Sequence, residues 1–156
     1  MPINCKSISV EKVIKFFEDD IDGMGKHGSH PRNQGIYDSI KQFKNWEFCE
    51  LTKEEFMLLI IPDGTRTLIK DKDNLEGFTK KNVEERVEQL LSGRDLDPLI
   101  VTEPQPEESL AEPSFYIKDG SKRAIALKVY FECRPYKSVK AYIGRKKVRS
   151  KKNETR

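Results

Sequence analysis

The sequence patterns predict an α+β domain in which strands and helices share a core, and three observations carry that expectation. Short apolar or alternating runs of strand type recur at "WEFCEL", "PLIVTE", "FYIK" and "VKAYI". Runs with helical spacing stand among these strands instead of in a block of their own. With 36% hydrophobic residues in a chain of 156, there is enough apolar material for one ordinary core.

The elements follow in order. Residues 9–20 read as a helix: Val10, Val13, Ile14, Phe17 and Ile21 share a face, Ser9 can cap it and Gly23 can end it. "DGMGKHGSHPRNQ" is a polar, glycine-rich loop, and residues 36–43 form a short helix with Tyr37, Ile40 and Phe43 as its apolar set. Residues 46–51 alternate as a strand. "FMLLIIPDGTRTLIKD" reads as two strands joined by a Pro-Asp-Gly turn, since proline and glycine supply the backbone angles such a turn needs. Residues 79–92 give a strong helix pattern, with Thr79 as cap, Val83, Val87, Leu90 and Leu91 as a stripe, and Gly93 as the stop. "PLIVTE" suits a buried strand, and the proline- and glutamate-rich run "PQPEESLAEP" an exposed loop. A strand over 115–118, a helix over 121–131 and a strand over 139–143 complete the order.

Composition narrows the function classes. The longest apolar run, "FMLLII", is too short to cross a bilayer, and no secretory signal pattern opens the chain. Cys5, Cys49 and Cys133 are odd in number, far apart and in no CxxC pair, which predicts reduced thiols and a cytoplasmic protein. The net charge is +3, but residues 145–156 carry seven basic residues and one acidic, so residues 1–144 carry −3. Any binding of nucleic acid by charge alone therefore falls to a basic, disordered tail: Arg145, Lys146, Lys147, Arg149, Lys151 and Lys152. The same run also suits a solvated solubility tail.

Most familiar site patterns are missing. "GMGKHG" fits G-x-G-x-x-G, but a helix precedes it and Pro31 follows, so the strand-turn-helix context of a dinucleotide fold is lacking. His27 and His30 stand in a loop without a cluster of further ligands, so no metal site is expected. There is no GxxxxGK[ST], HExxH or GxSxG.

"SFYIKDGSKRAIALKVYF" is different, because a strand turns directly into a helix whose first coil carries Arg123. The first turn of a helix leaves backbone N–H groups without intrahelical partners and carries the positive end of the helix dipole. Gly120 allows a ligand close approach, Ser121 adds a hydroxyl, and Lys122 and Arg123 add cations, a set suited to phosphate. The same residues suit a capped helix whose Arg123 pairs with a nearby carboxylate.

The segment from Asp97 to Gly144 resembles the ParB/sulfiredoxin superfamily. "DPLIV" matches a proline-led strand, "FYIKDG" the Y-x-I-x-D-G strand, "GSKR" the G-x-x-R helix start, and "VKAYIG" the closing strand. The resemblance implies a ParB/sulfiredoxin-like domain over 46–144, a mixed sheet with packed helices and a phosphate-binding helix N-terminus after the D-G-x-x-R turn, with an inserted hairpin near 56–70, an N-terminal extension over 1–45 and the tail over 145–156. It implies that Gly120, Ser121, Lys122 and Arg123 hold the phosphates of a nucleotide, ATP or CTP with Mg²⁺. Sulfiredoxins place a catalytic cysteine directly after the glycine; Ser121 stands there, so their thiol chemistry is not expected. Partition proteins carry a G-E-R-R box and a downstream helix-turn-helix; this chain has Ser121 and Lys122 in the middle positions and ends soon after the last strand. Other relatives are kinases of small molecules, or nucleases and ATPases that use an acidic residue, for which Asp119 is the candidate. The implied activity is nucleotide binding, with a DNA-associated Mg²⁺-dependent phosphohydrolase or phosphotransferase as its catalytic form. The alternatives are a small-molecule kinase and a non-catalytic DNA-associated protein acting through its tail.

Overall fold

The computed structural model describes residues 2–22, 31–61, 67–72, 80–104 and 114–146. Among these, five helices and seven strands form a mixed α+β structure. The strands are β1 (Ile3–Ile8), β2 (Asn45–Leu51), β3 (Ile60–Ile61), β4 (Thr67–Leu68), β5 (Leu99–Thr102), β6 (Tyr116–Asp119) and β7 (Val139–Arg145). The helices are α1 (Val10–Asp22), α2 (Pro31–Gln42), α3 (Lys53–Met57), α4 (Lys80–Leu91) and α5 (Ser121–Cys133). One sheet runs in the order β1-β2-β7-β5-β6-β3-β4. Its pairs are antiparallel except β5 with β7 and β3 with β6.

Side-chain alternation divides the sheet's two faces. Leu99, Val101, Ile117, Ala141 and Ile143 join Phe56 of α3, Val83 and Leu90 of α4 and Ala124 to Leu127 of α5 in one core. Ile100 and Trp46 point the other way and pack on Val13 and Phe17 of α1 and Ile40 of α2. Among the described residues of 1–45, β1 joins the sheet and α1 and α2 supply the second core. "GMGKHG" and "PQPEES" fall largely or wholly outside the described residues, as does Thr79.

Local chemistry explains several boundaries. Ser9 caps α1, its Oγ accepting from the Lys12 N–H at 3.3 Å. The helix expected over 36–43 begins earlier, at Pro31, where a proline suits the first helical position. At the end of α4, Gly93 has φ +91, the Arg94 N–H donates to Gln89 O and the Gly93 N–H to Leu90 O, forming a Schellman motif. Leu91 is 54% exposed, so the apolar stripe of α4 narrows to Val83, Val87 and Leu90. The first of the two strands expected from "FMLLIIPDGTRTLIKD" is partly replaced by α3, because Thr52 and Glu55 form a reciprocal capping box. The hairpin shrinks to Ile60–Ile61 with Thr67–Leu68 and extends the sheet beyond β6.

The expectation of unpaired thiols is overturned at two positions: Cys5 and Cys49 form a disulfide, while Cys133 is free and exposed. The cause is β1, a strand not apparent in the sequence. Ile3 pairs with Glu50 and Lys6 with Phe48, so both Asn4 and Cys5 stand opposite the single residue Cys49. Asn4 takes the positive φ, +53, of this bulge, and Cys5 is brought face to face with a partner 44 positions away.

Trp46 and Gly144 are directly opposed on β2 and β7. The indole is fixed by its Nε1–H donating to Phe43 O at 2.6 Å, and a Cβ on Gly144 would lie 2.8 Å from the ring. Gly144→Ala is expected to destabilise the fold by about 1–3 kcal/mol, the usual cost of overpacking, as measured by urea unfolding.

Tyr136 crosses from the end of α5 to β2, its hydroxyl donating to Leu51 O at 2.7 Å. Burial pushes its pKa up to about 12, and the charge of Glu55 adds to this against an opposing backbone hydrogen bond from Val139. Because the folded value exceeds the ordinary 10.0, the contribution is complete below that pH and is lost as pH rises through about 12. Urea midpoints should therefore fall over that interval in the wild type, and more shallowly in Tyr136→Phe.

Candidate functional site

The strand-to-helix turn lies at the end of β6, which stands between β5 and β3 in the sheet, and leads directly into α5. β6 ends at Asp119, and Gly120 follows with φ 103 and ψ 24, a conformation that L-residues rarely adopt. No side chain caps α5, whose first helical hydrogen bond is Ala124 N–H to Gly120 O at 2.9 Å. The N–H groups of the first turn thus point away from the helix body, where the dipole places partial positive charge. A Cβ on Gly120 would meet Leu99 Cδ2 at 2.8 Å and Arg123 Nη2 at 3.0 Å, so this turn is pressed against β5.

The structure brings the expected residues together in a particular way. Arg123 is only 8% exposed. Its Nη2 donates to Pro98 O at 3.1 Å and to Asp119 Oδ2 at 3.3 Å. The carboxylate considered as a catalytic base is therefore the ion-pair partner of the arginine considered as a phosphate ligand. Ser121 and Lys122 lie beside them, each half-buried.

Arg123 lines a cleft of about 320 Å³ with Glu85, Arg86 and Gln89 of α4 and Leu96 and Asp97 before β5. The α4 residues were not foreseen as site residues. Their spacing does put Glu85, Arg86 and Gln89 near one another on a helix, but only the packing of α4 beside α5 gives that pattern meaning. A larger cavity of about 590 Å³ shares Leu96 and Asp97 with this cleft and is walled by Leu127, Tyr130 and Phe131 of α5. Both hollows border Leu96 and Asp97, next to Pro98, whose carbonyl accepts from Arg123.

The cleft contains two guanidinium groups and two carboxylates, so a bare anion meets no excess of positive charge there. An anion carrying a divalent cation fits better, since the carboxylates of Glu85 and Asp97 are the hard oxygen donors that Mg²⁺ takes. The chemistry of the donor set is thus compatible with a Mg²⁺-nucleotide.

The tail residues separate into two groups. Arg145 is the last residue of β7: its Nε donates to Glu47 Oε1 at 2.8 Å, its Nη1 lies 3.8 Å from Glu103 Oε2, and its guanidinium covers the Phe115 ring. It belongs to the sheet and not to a free tail. The Lys146 N–H donates to Glu103 Oε1 at 2.7 Å. Lys147, Arg149, Lys151 and Lys152 lie outside the described residues. Among the described residues no helix is long and apolar enough to cross a membrane. No family model, curated protein or solved structure matches the chain.

Proposed function

We propose that this chain binds a nucleotide, ATP or CTP with Mg²⁺, at the turn from Gly120 to Arg123, as a protein of ParB/sulfiredoxin type. The observation that carries this reading is the uncapped, left-handed Gly120 at the start of α5, placed beside a buried arginine that lines a polar cleft. In this reading the first-turn N–H groups, the Ser121 hydroxyl and the Lys122 and Arg123 cations hold the phosphates. Glu85 and Asp97 hold the metal ion, which supplies charge neutralisation of the phosphate oxygens. Asp119 acts as a positioning residue, fixing the guanidinium of Arg123.

The test is thermal unfolding in the presence of ATP, CTP or GTP, each with and without Mg²⁺. A nucleotide at 100 times its Kd adds about 2.7 kcal/mol of stability. For a chain of this size that corresponds to a rise in Tm of roughly 5–10 °C. Absence of any Mg²⁺-dependent shift across the panel would sink the proposal. A salt-sensitive interaction with DNA, lost on deleting residues 147–156, would instead support the reading in which the tail does the binding.

A further inference from the structure

The bulge of β1 creates a second cluster of reactive side chains, remote in sequence from α5. Cys49 and Glu47 alternate onto the same face of β2, and the bulge swings Cys5 across to join them. One ligand atom from each, two Sγ and a carboxylate oxygen, lie within 4.8 Å of one another. Cys49 is fully buried, whereas Cys5 and Glu47 are half-buried, so the cluster opens toward the edge of the sheet. Glu47 is held in place by Arg145, whose other contacts are Glu103 and the Phe115 ring. A carboxylate oriented by an outer hydrogen-bond donor is the arrangement that tunes many metal ligands.

We propose that the dithiol form of this protein binds one thiophilic divalent cation, Zn²⁺ by its chemistry, through Cys5 Sγ, Cys49 Sγ and the Glu47 carboxylate. Two thiolates and one carboxylate suit zinc and exclude the hard cations, Mg²⁺ and Ca²⁺, which take oxygen alone. Two sulfur ligands, each about 2.3 Å from one zinc, lie no more than about 4.6 Å apart, a separation these neighbouring strands accommodate with small side-chain shifts. Three protein ligands leave a fourth position for water. Binding moves no electrons: the two thiol protons leave to solvent as the ion enters. The disulfide and the ion compete for the same two sulfur atoms, so the disulfide form carries no ion.

The test uses the full chain with Cys133→Ser, which removes the exposed third thiol. The protein is reduced, freed of reductant without oxygen, and titrated with Cd²⁺ and Co²⁺, with Zn²⁺ as competitor. One ion per chain is expected, with an ultraviolet thiolate-to-metal charge-transfer band that is absent in the disulfide form and in Cys5→Ala. Glu47→Gln leaves both thiols in place and should keep the band while weakening Zn²⁺ by at least about tenfold, the low end of what losing even an outer partner costs a metal site. The proposal is overturned if fully reduced protein gives no band, or if the band survives in Cys5→Ala. Unchanged Zn²⁺ affinity in Glu47→Gln overturns it as well, and that variant decides the matter even if Cys5→Ala loosens the edge strand.

Discussion

Arg123→Ala should lower folding stability by about 3 kcal/mol, because removing one member of a buried ion pair leaves the other charge buried without it. The side chains of Arg123 and Asp119 are 10% and 15% exposed, which puts them in the regime where that penalty applies. The truncation also releases Pro98 O, so the segment leading into β5 loses a tether. Urea unfolding of Arg123→Ala, Asp119→Ala and the double variant forms a cycle that isolates the pair. A single-variant loss below about 1 kcal/mol would mean that the pair behaves as an exposed one. Arg123→Ala should in addition abolish the nucleotide-dependent rise in Tm. Loss of stability with the rise retained would leave Arg123 a structural latch and exclude it as a phosphate ligand.

The second large effect is expected at Gly120. An alanine there must hold φ near +103, and its Cβ would meet Leu99 Cδ2 at 2.8 Å and Arg123 Nη2 at 3.0 Å. Backbone strain of this kind costs up to about 3 kcal/mol, and displacement of Arg123 adds to it. Gly120→Asn separates the two contributions. Asparagine tolerates positive φ better than alanine, so recovery in that variant would assign the cost to the backbone alone. Partial recovery in Gly120→Asn is the expected result, since asparagine eases the backbone share while its Cβ still meets Leu99.

Part of the helical structure was legible in the sequence, because α1, α4 and α5 each carry a local signal of an end or of a buried segment. Ser9 and the spacing of Val13 and Phe17 suffice for α1, and Gly93 marks the end of α4. The apolar run after Ser121 identifies α5, and the alternation of "VKAYI" identifies most of β7. What stayed hidden depends on partners far away in the chain. β1 is mainly exposed and shows no alternation, since it is held by the backbone of β2 and one sulfur bond instead of by an apolar face. The Thr52–Glu55 capping box was readable, but the apolar run "FMLLII" masked it, and two local signals pointing to different structures cannot be ranked without the third dimension. At the candidate site, the sequence placed Gly120 and Arg123 at a helix start. It did not reveal that Arg123 reaches a carbonyl 25 positions earlier, nor that α4 supplies the opposite wall of the cleft.

The position of β7 between β2 and β5 has a consequence for how the molecule assembles. Glu47 and Arg145, joined across this centre, are 98 positions apart, so the middle of the sheet closes only when every residue between them has been made. Closing so long a loop has a large entropic cost before any contact repays it, and such topologies fold slowly. A nascent chain emerging from a ribosome would display the open flank of β2 until the last dozen residues of the described structure arrive. During that interval its apolar strands face the same hazard as any unpaired sheet edge, and a chain cut before Val139 would remain in that state.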